Sequence, residues 1–215
     1  FIVLSFYHIG SYPIWNNDEG LYAETVREMF ERGNFVDPSF NYEHRWQKPV
    51  LIYWVFLPLT SIFGCTEGAF RASLGILGII SALFTYLLAQ RIYRNRTISL
   101  LATLFFVSSF AYILQTRHLA THMLLLLTTT MGLYFLYRLL FEIQKRALLS
   151  LGLGVSLGLS FLAKGPVGII ITALIALIYM ILNRPRLSIK NVLLNGGIIV
   201  LSFCAIALAW YVYML

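Results

Sequence analysis

An all-α fold, a polytopic bundle of transmembrane helices, is what the sequence predicts, on three observations. Of the 215 residues 59% are hydrophobic and 12% charged, with a mean hydropathy of +0.78, too apolar a balance for a water-soluble domain. Apolar runs long enough to cross a bilayer recur from residue 69 onward. The charges between those runs are almost all basic, the pattern of loops retained on the cytoplasmic side of a membrane.

The formal charge of +7 divides into −4 over residues 1–67 and +11 over 68–215, and the basic part is also the lipid-soluble part. This excludes disorder and a soluble nucleic-acid binder, so the lipid bilayer is an expected partner and nucleic acid is not. Two cysteines, Cys65 and Cys204, are too few to define a disulfide framework.

Residues 1–9 read as the end of a first transmembrane helix. Because the last residues also stop inside an apolar run, the chain is expected to be the N-terminal part of one membrane module whose C-terminal part is missing. Residues 10–49 read as a polar external loop with turn signals at Gly33-Asn34 and Asp37-Pro38. Within it Tyr22, Val26, Met29 and Phe30 follow helical spacing, Asn17-Asp18 precedes them and Gly33 closes them, which predicts an amphipathic helix of about four turns. Residues 50–63 are too few to span and contain Pro58, so they predict a re-entrant or interfacial helix. Transmembrane helices are expected over 69–90, 98–116, 119–140, 147–163, 165–182 and 192–215.

That arrangement satisfies the charge rule. It gathers Arg91, Arg94 and Arg96, then Arg138, Lys145 and Arg146, then Arg184, Arg186 and Lys190 on the cytoplasmic side. The acidic loop, Lys48, Arg117, His118, His122 and Lys164 fall on the other side, where ionisable groups beside lipid mark a substrate site.

Four segments carry candidate chemistry, each with a plain structural alternative. Asp18-Glu19 suits either a helix start, which favours acids, or a catalytic carboxylate. In Arg45-Trp46-Gln47-Lys48-Pro49 the lysine either anchors a helix end at the interface or binds a phosphate. Arg117-His118 and His122 lie at a helix junction; the i, i+4 spacing of the two histidines would set both rings on one helical face for a metal, but no third ligand is evident. Lys164-Gly165-Pro166 makes a hairpin turn, yet a lone lysine there opposes the charge bias and suits a bound anion or a carboxylate such as Asp18. No glycine loop for nucleotide phosphates occurs. The set suits an anionic substrate entering from the membrane, either for chemistry or for transport by a flippase.

The order Asp18-Glu19-x-x-Tyr22-Ala23-Glu24, Lys48-Pro49 before Tyr53-Trp54, Phe63-Gly64, Glu67-x-x-Phe70-Arg71 and Lys164-Gly165-Pro166 resembles the polyprenyl-phosphate-sugar glycosyltransferases of the GT-C superfamily. The likeness is to the dolichyl-phosphate-mannose-protein mannosyltransferase-like family and the related lipid A aminoarabinose transferases. It implies a GT-C membrane glycosyltransferase of the bacterial inner membrane, with its site facing the periplasm or extracellular side. The donor would be a polyprenyl-phosphate-linked sugar and the acceptor a hydroxyl of a protein, lipid A or another glycan or lipid, with inversion at the anomeric carbon. By this match Asp18 and Glu19 are the catalytic candidates, Lys48, Arg117 and Lys164 the donor-phosphate ligands, and Tyr22, Gln47 and His122 their neighbours. The aminoarabinose transferases carry Arg, Glu and Asp where this chain has Leu21, Gln47 and His122. Without the glutamate no metal is expected, and no cofactor.

Overall fold

The computed structural model describes residues 10, 13–14, 17–142, 144–183 and 189–214. The expected helix end over 1–9 and Arg184 and Arg186 of the third basic loop lie outside them.

The polar loop opens with α1, Asn17–Arg32, whose first turn carries Asp18 and Glu19 where the helix dipole favours acids. Tyr22, Val26 and Met29 are buried on its predicted face, and Gly33 ends it at φ +63°, a backbone region that favours glycine. The Asn34 side chain then accepts from the Val36 and Asp37 amides, both at 3.1 Å, which makes the predicted turn. No strand signal precedes the small antiparallel ribbon that follows, β1 (Ser39–Phe40) and β2 (Glu43–His44), whose turn residues Asn41 and Tyr42 both have positive φ. Buried Glu28 holds the ribbon to α1 by accepting from the Ser39 hydroxyl at 2.6 Å and the Tyr42 amide at 3.1 Å.

Helix α2, Leu51–Phe63, carries Pro58 and is about 20 Å long, short of a hydrocarbon core of roughly 30 Å. Trp54 ties it to the loop by donating to the Phe35 carbonyl at 2.7 Å. Helix α3, Glu67–Tyr93, is capped by Thr66 and closed by left-handed Arg94. The run 98–116, expected as one span, is two helices, α4 (Arg96–Ser108) and α5 (Phe110–Gln115). Ser109 divides them: its backbone is extended, its hydroxyl donates to the Phe106 carbonyl at 2.7 Å and accepts from the Tyr112 amide at 3.4 Å, replacing ladder bonds.

The remaining helices, α6 (His122–Phe141), α7 (Arg146–Lys164), α8 (Val167–Asn183) and α9 (Ile189–Tyr213), stand within a few residues of their predicted bounds. Helices α3, α6, α7 and the 193–213 part of α9 are long and apolar enough to cross a membrane; α2, α4 and α8 are shorter.

Helix α7 packs between α6 and α9, and α3 between α4 and α6. Charge separates along the bundle. At one end Arg91 pairs with Glu142 at 3.0 Å, Arg138 pairs with the same carboxylate at 2.7 Å, and Tyr137 donates to the Arg91 carbonyl. At the other, Trp210 near the end of α9 donates to the Val36 carbonyl at 2.8 Å and joins the bundle to the polar loop.

Small residues set the α7–α9 approach. A Cβ at Gly154 would stand 1.9 Å from the Ser202 hydroxyl oxygen and 2.5 Å from the Ile199 carbonyl oxygen, and one at Gly158 would stand 2.7 Å from Ile206. Because Ile199 presents backbone, rotamer changes cannot relieve the contact. Gly154→Ala is therefore expected to lower stability by about 1–3 kcal/mol in detergent, read by thermal unfolding, whereas Gly196→Ala, which meets nothing within 4 Å, leaves the melting temperature unchanged.

Candidate functional site

The predicted site residues come from the start of α1, the segment 45–49, the connection before α6 and the end of α7. Glu19 joins the first of these to the third. Its side chain is buried, and one oxygen accepts from the Leu119 amide at 2.9 Å and lies 3.1 Å from the His118 Nδ1. Those contacts reach across about a hundred residues of chain and set the start of α1 against the α5–α6 connection.

Asp18, beside it, is exposed at the helix start, free of the bonds that occupy Glu19. One turn on, Tyr22 is buried with its ring 6.0 Å from that of Tyr53. Burial raises the Tyr22 hydroxyl above its ordinary pKa; Arg45 opposes the shift, the Asp18 carboxylate adds to it and Thr121 offers a hydrogen bond. At neutral pH Tyr22 is thus an uncharged donor within electrostatic reach of Asp18.

Along the segment 45–49, Arg45 is buried, Trp46 and Gln47 are exposed, and Lys48 is half-buried. Trp46 donates to Asp37 at 3.2 Å, and the same carboxylate lies 2.8 Å from the His44 Nδ1.

Lys164 ends α7 with its Nζ 3.1 Å from the His122 Nδ1 at the start of α6. The expected partners are a bound anion or a carboxylate such as Asp18; the side chain that Lys164 meets is His122, because α7 finishes against the first turn of α6. The two histidines do not share a helical face either. His118 stands in the turn before α6 and faces Glu19, while His122 begins the helix and faces Lys164. Lys164, His118 and Lys48 all lie within electrostatic reach of the His122 ring.

Arg117 is half-buried, and its carbonyl accepts from Arg71 at 3.3 Å. Arg71 is itself buried and also donates to the Pro13 carbonyl at 3.1 Å, a structural placement. Beside the cations lies an apolar cavity of about 330 Å³, lined by Phe106, Tyr112, Leu126, Ile171 and His122 among others, where the α4–α5 break opens the bundle. His122 borders both. Among the described residues no three His, Cys, Asp or Glu side chains are gathered to hold a metal ion.

Spacing alone did not distinguish Glu19 from Asp18 or single out Arg45 and His118. The first two are adjacent acids, and the last two are placed by contacts with distant elements. The arrangement offers one exposed carboxylate, a neutral phenol, and two lysines with two histidine rings at the mouth of an apolar cavity.

Residues 47–210 match the model of the family described as dolichyl-phosphate-mannose-protein mannosyltransferase. An uncharacterized protein of Aquifex aeolicus is 30% identical over 99% of this chain and 42% of its own length. The undecaprenyl phosphate-alpha-4-amino-4-deoxy-L-arabinose arabinosyl transferase 2 of Proteus mirabilis is 30% identical over 98% of this chain and 38% of its own. The chain thus spans about two-fifths of the length of these relatives. Crystal structures of ArnT from Cupriavidus metallidurans, in the apo state and bound to undecaprenyl phosphate, superpose with a TM-score of 0.89 at 21% identity. They cover 99% of this chain and 40% and 39% of theirs, and show that the folds agree.

Removing the buried carboxylate and removing its exposed neighbour should differ in kind. Glu19→Ala strands the Leu119 amide and His118 and is expected to cost about 1.5–3 kcal/mol, read by unfolding in detergent. Asp18→Ala is expected to melt with the parent protein.

Proposed function

The chain belongs to the dolichyl-phosphate-mannose-protein mannosyltransferase family, and from that premise we propose that it is a catalytic portion of a membrane glycosyltransferase. The enzyme moves a sugar from a polyprenyl-phosphate donor to a hydroxyl acceptor, a protein, lipid A or another glycan or lipid. The observation that carries this reading is the gathering of Lys48, Lys164 and two histidines beside an apolar cavity, with a carboxylate exposed nearby. A lipid phosphate needs both an apolar wall for its chain and fixed positive charge for its head. The Proteus mirabilis relative's name and the undecaprenyl phosphate bound to ArnT of Cupriavidus metallidurans support the same donor class.

In this mechanism Asp18 takes the proton of the acceptor hydroxyl as its oxygen attacks the anomeric carbon. The bond from that carbon to the phosphate oxygen breaks on the opposite face, so the configuration inverts. Lys48, with Lys164 and Arg117, offsets the charge that grows on the departing polyprenyl phosphate. Tyr22, Gln47 and His122 line the same region, with Tyr22 as a donor to the sugar. Glu19 is a positioning residue that holds α1 and His118 in register and leaves Asp18 free for the proton.

The site faces the extracytoplasmic side of a bacterial inner membrane in this reading. Support comes from the grouping of Arg91, Arg94 and Arg138 at the far end of the bundle, as cytoplasmic loops require. A cysteine placed at Gln47 should react with a membrane-impermeant maleimide added outside the cell, and one at Arg94 should not; the reverse pattern overturns the orientation.

Activity separates an enzyme from a flippase. The full-length protein, incubated with a polyprenyl-phosphate sugar and acceptor, is expected to release free polyprenyl phosphate. Asp18→Asn should lower that turnover by about 10²–10⁴-fold with folding intact, the usual contribution of a general base. Turnover within a few-fold of the parent would leave Asp18 a helix-start residue only.

A further inference from the structure

Arg45 is buried to within 7% of its surface, immediately after the β1–β2 ribbon. Its amide donates to the Pro38 carbonyl at 2.8 Å, and its guanidinium stands 5.8 Å from the Tyr22 ring centroid and 5.6 Å from that of Phe40. The Tyr53 hydroxyl lies within its electrostatic reach. Yet Nε and Nη1 are sealed from solvent and neither has a hydrogen-bond partner. These two nitrogens belong to different edges of the planar fork, so each of the edges that grip a carboxylate or phosphate has a nitrogen without an acceptor.

A guanidinium stays charged wherever it is placed, and burying it without an acceptor is costly. The neighbouring acids do not relieve it. Glu28 gives one oxygen to the Ser39 hydroxyl and the Tyr42 amide while its other oxygen is buried without a hydrogen-bond partner, Glu19 is turned to Leu119 and His118, and Asp37 to His44 and Trp46. Among the described residues none of them comes within ion-pair distance of Arg45, and the two aromatic faces supply only a weak cation–π attraction. Arg45 stands three residues before Lys48 and over the ring of Tyr22, itself one helical turn from Asp18. The fork therefore lies against Tyr22, between the helix turn that carries the proposed base and the chain segment that leads to the proposed phosphate ligand.

We propose that Arg45 is a substrate-binding residue that grips a two-oxygen anionic group, either the phosphate of the lipid donor or a carboxylate on the transferred sugar. The inference rests on the function proposed above and adds to it a second anion contact, on the Tyr22 side of the site. Because the fork is planar and always charged, it selects for geometry as well as for sign.

The test uses the full-length protein in lipid nanodiscs and three probes: undecaprenyl phosphate, an undecaprenyl-phosphate hexose and an undecaprenyl-phosphate hexuronate. Dissociation constants are compared for the parent, Arg45→Met, Arg45→Lys and Lys48→Met. Arg45→Lys keeps the buried charge but loses the fork, so it is expected to melt with the parent while binding at least one probe ten-fold more weakly or worse. Weakening with all three probes assigns the anion to the donor phosphate, and weakening confined to the hexuronate assigns it to the sugar. If Arg45→Met fails to fold, Arg45→Lys decides alone. Arg45 variants that bind every probe within two-fold of the parent, while Lys48→Met loses undecaprenyl phosphate, overturn this inference and leave the proposed function standing. A parent protein that binds none of the probes overturns both.

Discussion

A carboxylate buried at the edge of an apolar bundle must be bonded on arrival, and Glu19 meets that requirement with the Leu119 amide and the His118 ring. Much of the site's geometry follows from that pairing. It pins the first turn of α1 to the connection before α6, and so sets Asp18 and Tyr22 beside the start of α6. It also divides labour between adjacent acids. Glu19 is consumed by structure, and Asp18, one residue earlier and exposed, is left for the role of base in the proposed function.

The rest of the charge obeys the same economy. At the far end Arg91 and Arg138 close on Glu142, the one acid of residues 68–215, and Arg138 holds the Glu142 carboxyl below the usual carboxylate range. At the near end two lysines gather beside two histidine rings. Lys48, Lys164, His118 and His122 cluster where α6 and α7 meet, and the α4–α5 break leaves an apolar cavity against His122. Fixed positive charge beside a greasy wall suits an anion attached to a hydrocarbon chain better than it suits a soluble anion, which would have no use for the wall.

Periodicity and turn chemistry carried most of the fold. The Tyr22, Val26, Met29 stripe, the glycine at 33 and the Asn34 turn are local signals, and each stands where it is expected. What escaped depends on single side chains or on distant partners. Ser109 divides an unbroken apolar run by bonding its own neighbourhood, and no hydropathy window registers that. The spacing of His118 and His122 implied a shared face that vanishes once the helix begins at residue 122. Arg45 sits in a polar run that reads as surface, and only the closing of Tyr22 and Phe40 around it makes it interior. Lys164 is unusual by its place in the chain, but its contact with His122 requires two helix ends to meet.

The most direct test of where the donor binds is photo-crosslinking of the full-length protein with undecaprenyl phosphate that carries a diazirine beside the phosphate, followed by peptide mapping. Adducts on the peptides holding Lys48, His122 or Lys164 are the predicted result. Adducts confined to the peptides around Arg91 or Arg138, at the opposite end of the bundle, would contradict it.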